Sequence, residues 1–180
     1  MKKIINKIIT DNEAEVREKK VGWAEKISVD GLPNFHKVSH NLYRGAQPES
    51  KKGIEYLNNI GVRTVVNLRS FHSDRKLITG TDIDYEHFLM RTWHPTRRHV
   101  RKFLKIITDP AKNPVFVHCQ HGADRTGLMC AIYRIVICGW TKEEAIEEMC
   151  YGGFGYHVIW KNIIKFIEKL DIDKIKKRNK

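Results

Sequence analysis

Cys119 and Arg125 stand six positions apart in the stretch HCQHGADRTG, residues 118–127, with Gly122 between them and Thr126 and Gly127 behind. A cysteine that follows an apolar run such as NPVFV is, taken alone, a buried strand-end residue. With the arginine, the glycine and a helix start behind it, the same cysteine can be a nucleophile in an anion cradle. A strand that turns through a glycine into a helix gathers backbone N–H groups around one point, and the helix dipole adds partial positive charge there. That field favours a thiolate over a thiol. Arg125 can curl back and hold two phosphate oxygens with its planar fork. Cys119 would then attack phosphorus and form a thiophosphate intermediate, which water splits.

The neighbours fit supporting parts. Gly122 lets the backbone bend inward, and Gly127 allows close packing at the helix start. Thr126 can donate to the cysteine sulfur, and His118 can orient the loop through backbone contacts. Gln120, His121, Gly122, Ala123 and Thr126 would line the phosphate pocket. Arg69, at the end of VVNLR, would reach it from a neighbouring strand. A zinc site from His118, Cys119 and His121 is a weaker reading. His118 and Cys119 are adjacent and point to opposite faces of a strand, and no fourth ligand is signalled.

HCQHGADRTG resembles the H-C-x5-R-[ST]-G signature of cysteine-dependent tyrosine and dual-specificity phosphatases. FHKVSHNLYRGAQPE followed by GVRTVVNLRS is similar to the compact bacterial dual-specificity-like members. The resemblance covers roughly residues 33–170 and places the motif between a strand and a helix, the context it requires. It implies Cys119 as nucleophile, Arg125 as phosphate binder, and no metal or other cofactor.

The chain departs from the family in one respect. Members take their general acid from a movable loop upstream of the cysteine. Here that loop falls in RTWHPTRRHV, where Trp93 and Pro95 are similar to the family's Trp-Pro-Asp pattern. No Asp or Glu occurs between His87 and Thr108. Asp124 can supply the proton from inside the phosphate loop, as the myotubularin and Sac-type phosphoinositide phosphatases, with an Asp before the loop arginine, suggest. His94 can do so as an imidazolium and would then also face substrate. Or the chain lacks an efficient acid and needs a good leaving group, or only binds. The structural alternative for Asp124 is a carboxylate capping the helix start or pairing with an arginine. Asp82 and Asp84 lie farther back. Arg44, in YRGAQP, reads as a brace for an aspartate or for backbone groups.

The elements that must position these residues follow from periodicity. Extended pieces are expected around 35–38 and 42–44, and a helix over 49–60 that ends at Gly61. VRTVVNLRS (62–70) and DYEHFLM (84–90) read as strands, 97–108 as a helix, and VFVHC (115–119) as a buried strand. TGLMCAIYRIVICGW is apolar nearly all round and long enough for a buried helix. TKEEAIEEMC (141–150) carries a Thr141/Glu144 capping box. The chain then breaks at glycines and resumes as a terminal helix. This order argues an α/β fold, a small central, mainly parallel sheet flanked by helices, dual-specificity phosphatase-like in arrangement. Ligands bind outside the carboxyl ends of such strands, where the loop lies. The divisions expected are an N-terminal extension (1–28), a phosphatase domain (29–172) and a basic tail (173–180).

With 180 residues, 41% of them hydrophobic and 30% charged, the chain suits one globular domain. Cys130, Cys138 and Cys150 sit in apolar helical patterns and read as core. No apolar stretch is long enough to span a membrane. MKKIINKIITDNEAEV is a poor signal peptide, read instead as a frayed or amphipathic segment, so a cytoplasmic monomer is expected. The net charge of +12 favours an anionic partner. Residues 87–108 hold Arg91, Arg97, Arg98, Arg101, Lys102 and Lys105 with no acid, either a solvated face or a positive rim. A phosphorylated protein is the leading substrate. An inositol phosphate or phosphoinositide is the alternative, with an acidic membrane surface as a partner that the charge allows. A sulfurtransferase and a nucleic-acid binder fit less well, since Arg125-Thr-Gly argues against the first and no recognition motif supports the second.

Overall fold

The run Val-Phe-Val-His at 115–118 is apolar, largely β-branched and bounded by turns, and it forms the middle strand of the sheet. In the computed structural model, which describes residues 22–178, this strand is β6 (Val115–His118). The others are β1 (Glu25–Lys26), β2 (His36–Lys37), β3 (Leu42–Gly45), β4 (Thr64–Asn67) and β5 (Asp84–His87). They form one sheet in the order β1-β2-β3-β6-β4-β5. β3, β6, β4 and β5 run parallel, while β1 and β2 add antiparallel to one edge. The sheet is therefore mixed, with a parallel heart. The expected extended pieces and strands are present; β2, β4, β5 and β6 are shorter than expected, and β3 runs one residue longer.

Helices α1 (Lys51–Asn59) and α2 (Arg75–Ile78) lie in the first half of the chain. α3 (Arg97–Ile107), α4 (Asp124–Val136), α5 (Lys142–Tyr151), α6 (Lys161–Glu168) and α7 (Ile172–Arg178) follow. Alternation along the strands divides the core between the two faces. Val65 and Phe116 join Phe35, Ile54 and Leu57 on the α1 side. Val66, Val115 and Val117 join Phe103, Leu128 and Ile163 on the other. α4 is buried nearly all round, as its composition requires. Arg134 on α4 is tied to Glu148 on α5 by a buried bidentate pair, 2.7 and 2.8 Å, and Glu148 also accepts from the Ala24 N–H. The Thr141/Glu144 capping box is formed.

Three differences from the sequence reading stand out. β1 falls within the segment expected as an extension. α2 is a single short turn of helix with no hydrophobic period of its own. α7 runs from the last residue of the expected domain into the expected tail, where Ile175 packs against the core beside Ile172. The amphipathic segment expected at the N-terminus lies outside the described residues. Among the described residues, no helix is long and apolar enough to cross a membrane.

Candidate active site

Parallel pairing puts the carboxyl ends of β3, β6, β4 and β5 on one edge, and the loop 119–123 leaves β6 there and enters α4. Its geometry is set by where its carbonyls go. The Gln120 carbonyl accepts from the Gln47 N–H at 3.3 Å, that of His121 from Asn34 Nδ2 at 2.8 Å, and that of Gly122 from Arg44 Nη2 at 2.7 Å. All three donors come from outside the loop. In a trans peptide the carbonyl and the next N–H point opposite ways. The N–H groups of residues 121, 122 and 123 therefore turn inward and make a nest for an anion. The first turn of α4 adds its free N–H groups and the positive end of its dipole.

Gly122 is required twice over. Its φ is +71°, and a Cβ there would lie 2.4 Å from the carbonyl carbon of Gly45. Gly127 lets α4 approach α5, since a Cβ would meet Met149 Cγ at 2.9 Å. Arg44 is buried, as a brace for the loop backbone rather than for an aspartate, and its guanidinium lies 3.6 Å from the centroid of the Phe154 ring.

Cys119 is buried at the strand end, and His118 beside it is held from both sides. His118 Nδ1 faces the Cys119 carbonyl at 3.2 Å, and Nε2 lies 3.0 Å from Asp74 Oδ2. Asp74 also meets His72 Nε2 at 3.0 Å and accepts from Asn67 Nδ2 at 2.7 Å. Burial alone would raise the Asp74 pKa. The hydrogen bond and charge of His118, with His72, outweigh it and hold the carboxyl below its ordinary value. Sequence reasoning missed Asp74, which carries no motif of its own and sits in an irregular stretch. With both ring nitrogens of His118 so engaged, the zinc reading has no free ligand there, and no metal-holding cluster occurs among the described residues.

Arg125 Nη1 faces the carbonyls of Leu68 and Met90, just beyond β4 and β5, at 3.4 and 3.5 Å. Its Nε is buried without a partner, a donor that a phosphate oxygen can engage. Thr126 is buried too, but its hydroxyl has no hydrogen-bond partner among the described residues, so the expected bond to the Cys119 sulfur is not made. Ala123 is the buried N-cap of α4. Gln120, His121 and Arg69 come together with Asn34 and Gln47 along a cleft of about 480 Å³ beside the loop, and Arg69 Nη1 donates to Gln47 Oε1.

The acid candidates separate clearly. His94 is exposed in the loop after β5. Asp84 opens β5 at the far edge of the sheet and pairs with Lys112. Asp124 is buried and caps nothing in its own helix. Its Oδ1 accepts the backbone N–H of His157 at 2.9 Å, and Oδ2 lies 2.9 Å from His157 Nδ1. His157 was not among the residues expected at the site. It arrives on the loop 152–160, in which Gly153 and Gly155 take positive φ. Phe154 anchors that loop against Arg44, and its carbonyl accepts from Asn34. The basic segment is mostly a solvated face: Arg91, Arg97, Arg98 and Arg101 are exposed, and Lys102 pairs with Glu86.

A family model described as "PTP-NADK: DSP-PTPase phosphatase fused to NAD+ Kinase" matches residues 25–155. The dual specificity protein phosphatase TpbA of Pseudomonas aeruginosa is 32% identical over 155 residues, which is 84% of this chain and 68% of that protein. The crystal structure of TpbA in complex with pTyr superposes with a TM-score of 0.78 at 29% identity, over 90% of this chain and 98% of that one. The inositol diphosphatase DSP5 of Arabidopsis thaliana is 27% identical over 161 residues, 80% of this chain and 72% of that protein.

Proposed function

The chain belongs to the DSP-PTPase family of cysteine-dependent phosphatases, and we propose that it hydrolyses phosphotyrosine in protein substrates with Cys119 as nucleophile and Arg125 as phosphate ligand. The observation that supports this is the set of three carbonyls at 120–122 held by donors from outside the loop, which leaves the loop N–H groups free to face an anion. A phosphoryl dianion bound there has its negative charge met by the N–H groups, the helix dipole and the guanidinium. The Cys119 sulfur forms a bond to phosphorus as the ester P–O bond breaks. Water then attacks phosphorus, the S–P bond breaks, and inorganic phosphate leaves. Gln120, His121 and Arg69, along the adjoining cleft, bind the rest of the substrate. Asp124, at the start of α4 beside the loop, belongs to the machinery of the proton step through its contact with His157.

A second reading is a phosphoinositide presented at an acidic membrane surface. Large apolar side chains at Phe71, Leu89, Trp93, Val158 and Ile159 are exposed. They hang from the loops after β4, β5 and α5, the same loops that meet Arg125 and Asp124. Exposed Arg91, Arg97 and Arg98 stand beside them. Apolar tips interleaved with cations suit the interface of an anionic bilayer. The likeness to an inositol diphosphatase supports an inositol-based substrate in the same way.

A substrate panel separates the two readings. It comprises a phosphotyrosine peptide, a phosphoserine peptide, inositol hexakisphosphate and phosphoinositide vesicles, each with the native chain and Cys119→Ser. The leading reading expects the highest kcat/KM on the phosphotyrosine peptide. Preference for vesicles, lost when Phe71 and Trp93 are replaced by serine, would favour the second. No turnover of any of them by the native chain would leave a binding module.

A further inference from the structure

The Asp124 carboxylate is committed as an acceptor. Oδ1 takes the His157 backbone N–H at 2.9 Å, and both oxygens lie within 3.1 Å of His157 Nδ1. A main-chain N–H can only donate, so Oδ1 must accept there. Between a carboxylate and an imidazole sharing one proton, the imidazole is the more basic partner by about two pKa units in isolation. The proton between them therefore resides on Nδ1. Asp124 is 7% exposed, so water does not compete for its oxygens. It cannot at once accept three contacts and hand a proton to a substrate.

His157 can. With Nδ1 directed at Asp124, Nε2 lies on the opposite side of the ring, and the side chain is 49% exposed. Its ring centroid is 5.7 Å from that of His121, a residue of the catalytic loop itself. The other titratable group beside it is Tyr156, whose phenol donates to the Trp160 carbonyl and is pushed up by burial. Arg125, next to Asp124 in sequence, reaches the carbonyls of Leu68 and Met90.

We infer that His157 is the general acid of the reaction and that Asp124 is its positioning residue. The inference rests on the phosphatase reading and deepens it. As Cys119 Sγ bonds to phosphorus and the ester P–O bond breaks, the leaving oxygen takes the Nε2 proton. The neutral Nε2 then takes a proton from the water that attacks phosphorus, the S–P bond breaks, and the imidazolium is restored. The arrangement gives a role to the loop 152–160, whose glycines and Phe154 bring His157 onto Asp124. It also accounts for a chain whose upstream loop contains no carboxylate.

The test compares His157→Gln and Asp124→Asn with the native chain on phenyl phosphate and on p-nitrophenyl phosphate. A general acid contributes about 10²–10⁴-fold, and it does so mainly when the leaving group is poor. His157→Gln is expected to lose at least about 10²-fold in kcat on phenyl phosphate, with a much smaller loss on p-nitrophenyl phosphate. The basic limb of the kcat–pH profile for phenyl phosphate should vanish with it. Asp124→Asn should follow the same pattern, and the double variant should lose no more than His157→Gln alone. Equal losses on both esters would overturn the inference, because a distorted loop slows both alike. So would a selective loss in Asp124→Asn without one in His157→Gln, which would make Asp124 the acid itself. Failure of the phosphatase reading is distinct: the native chain would turn over neither ester, and Cys119→Ser would change nothing.

Discussion

The Arg44 guanidinium donates to the Gly122 carbonyl at 2.7 Å from beneath the catalytic loop. This contact draws a loop carbonyl away from the anion nest, and the Phe154 ring packs over the same guanidinium. Arg44→Met keeps the bulk and removes the donor. An orphaned buried carbonyl costs about 1–3 kcal/mol. The variant should therefore lose that much stability in urea unfolding and should bind inorganic phosphate at least about tenfold more weakly, since an oriented charge-assisted contact is lost. Unchanged phosphate inhibition would show that the loop holds its shape without Arg44.

Gly122→Ala should fail more severely than its chemistry suggests. The added methyl meets the Gly45 carbonyl carbon at 2.4 Å, besides the positive φ. Gly139→Ala is the control, with φ +76° and no atom within 4 Å of the new Cβ. It bears only the conformational strain, about 1–3 kcal/mol. Thermal melts and turnover of both variants check this. Gly122→Ala should lose activity even where it folds, and Gly139→Ala should keep it.

Asp74 should govern stability in acid. In the unfolded chain it titrates near its ordinary value of 3.8, and in the folded chain lower. Between those two values the unfolded state binds more protons, so the stabilisation is complete above 3.8 and fades as pH falls through the folded value. Asp74→Asn should lower Tm by several degrees at neutral pH, where His118 loses its charged partner, and should flatten the fall in Tm below about pH 4. A parallel Tm–pH curve for variant and native chain would contradict this.

The four cysteines should react differently with iodoacetamide near pH 8. Burial pushes the Cys130 thiol up to about 11 and that of Cys150 up to about 12, so both should be spared. Cys138, expected in the core from its apolar neighbours, is instead exposed just past the end of α4 and should label freely. Labelling of Cys119 should inactivate the enzyme, and inorganic phosphate should protect Cys119 without protecting Cys138. Peptide mass mapping with and without phosphate reads all four.

The candidate parts that reside in one stretch of chain could be picked out from the sequence. Cys119 and Gly122 lie in the loop and Arg125 in the first turn of α4, and the apolar run before them and the buried helix behind announced where they lie. Arg69 was expected at a strand end; β4 stops at Asn67, and Arg69 reaches the cleft from the loop just beyond it. What could not be read was contact between distant stretches. Asp74 reaches His118 from an irregular segment, and His157 reaches Asp124 across 33 positions of sequence. Asp124 looked like an acid or a cap because its partner lay in a glycine-rich break, YGGFGYH, that periodicity treats only as the end of a helix. Thr126 went the other way, since its place in the motif suggested a bond to sulfur that the packing does not make. α7 was read as tail because its charges outnumber its two packed isoleucines.

The most direct test of the account is to trap the intermediate. The native chain, mixed with a rapidly hydrolysed aryl phosphate and quenched in acid during the first turnover, is digested and its peptides are weighed. The account expects one phosphoryl group, on the peptide containing Cys119, and none in Cys119→Ser. A phosphoryl group on His121 or another residue, or full turnover by Cys119→Ser, would contradict it.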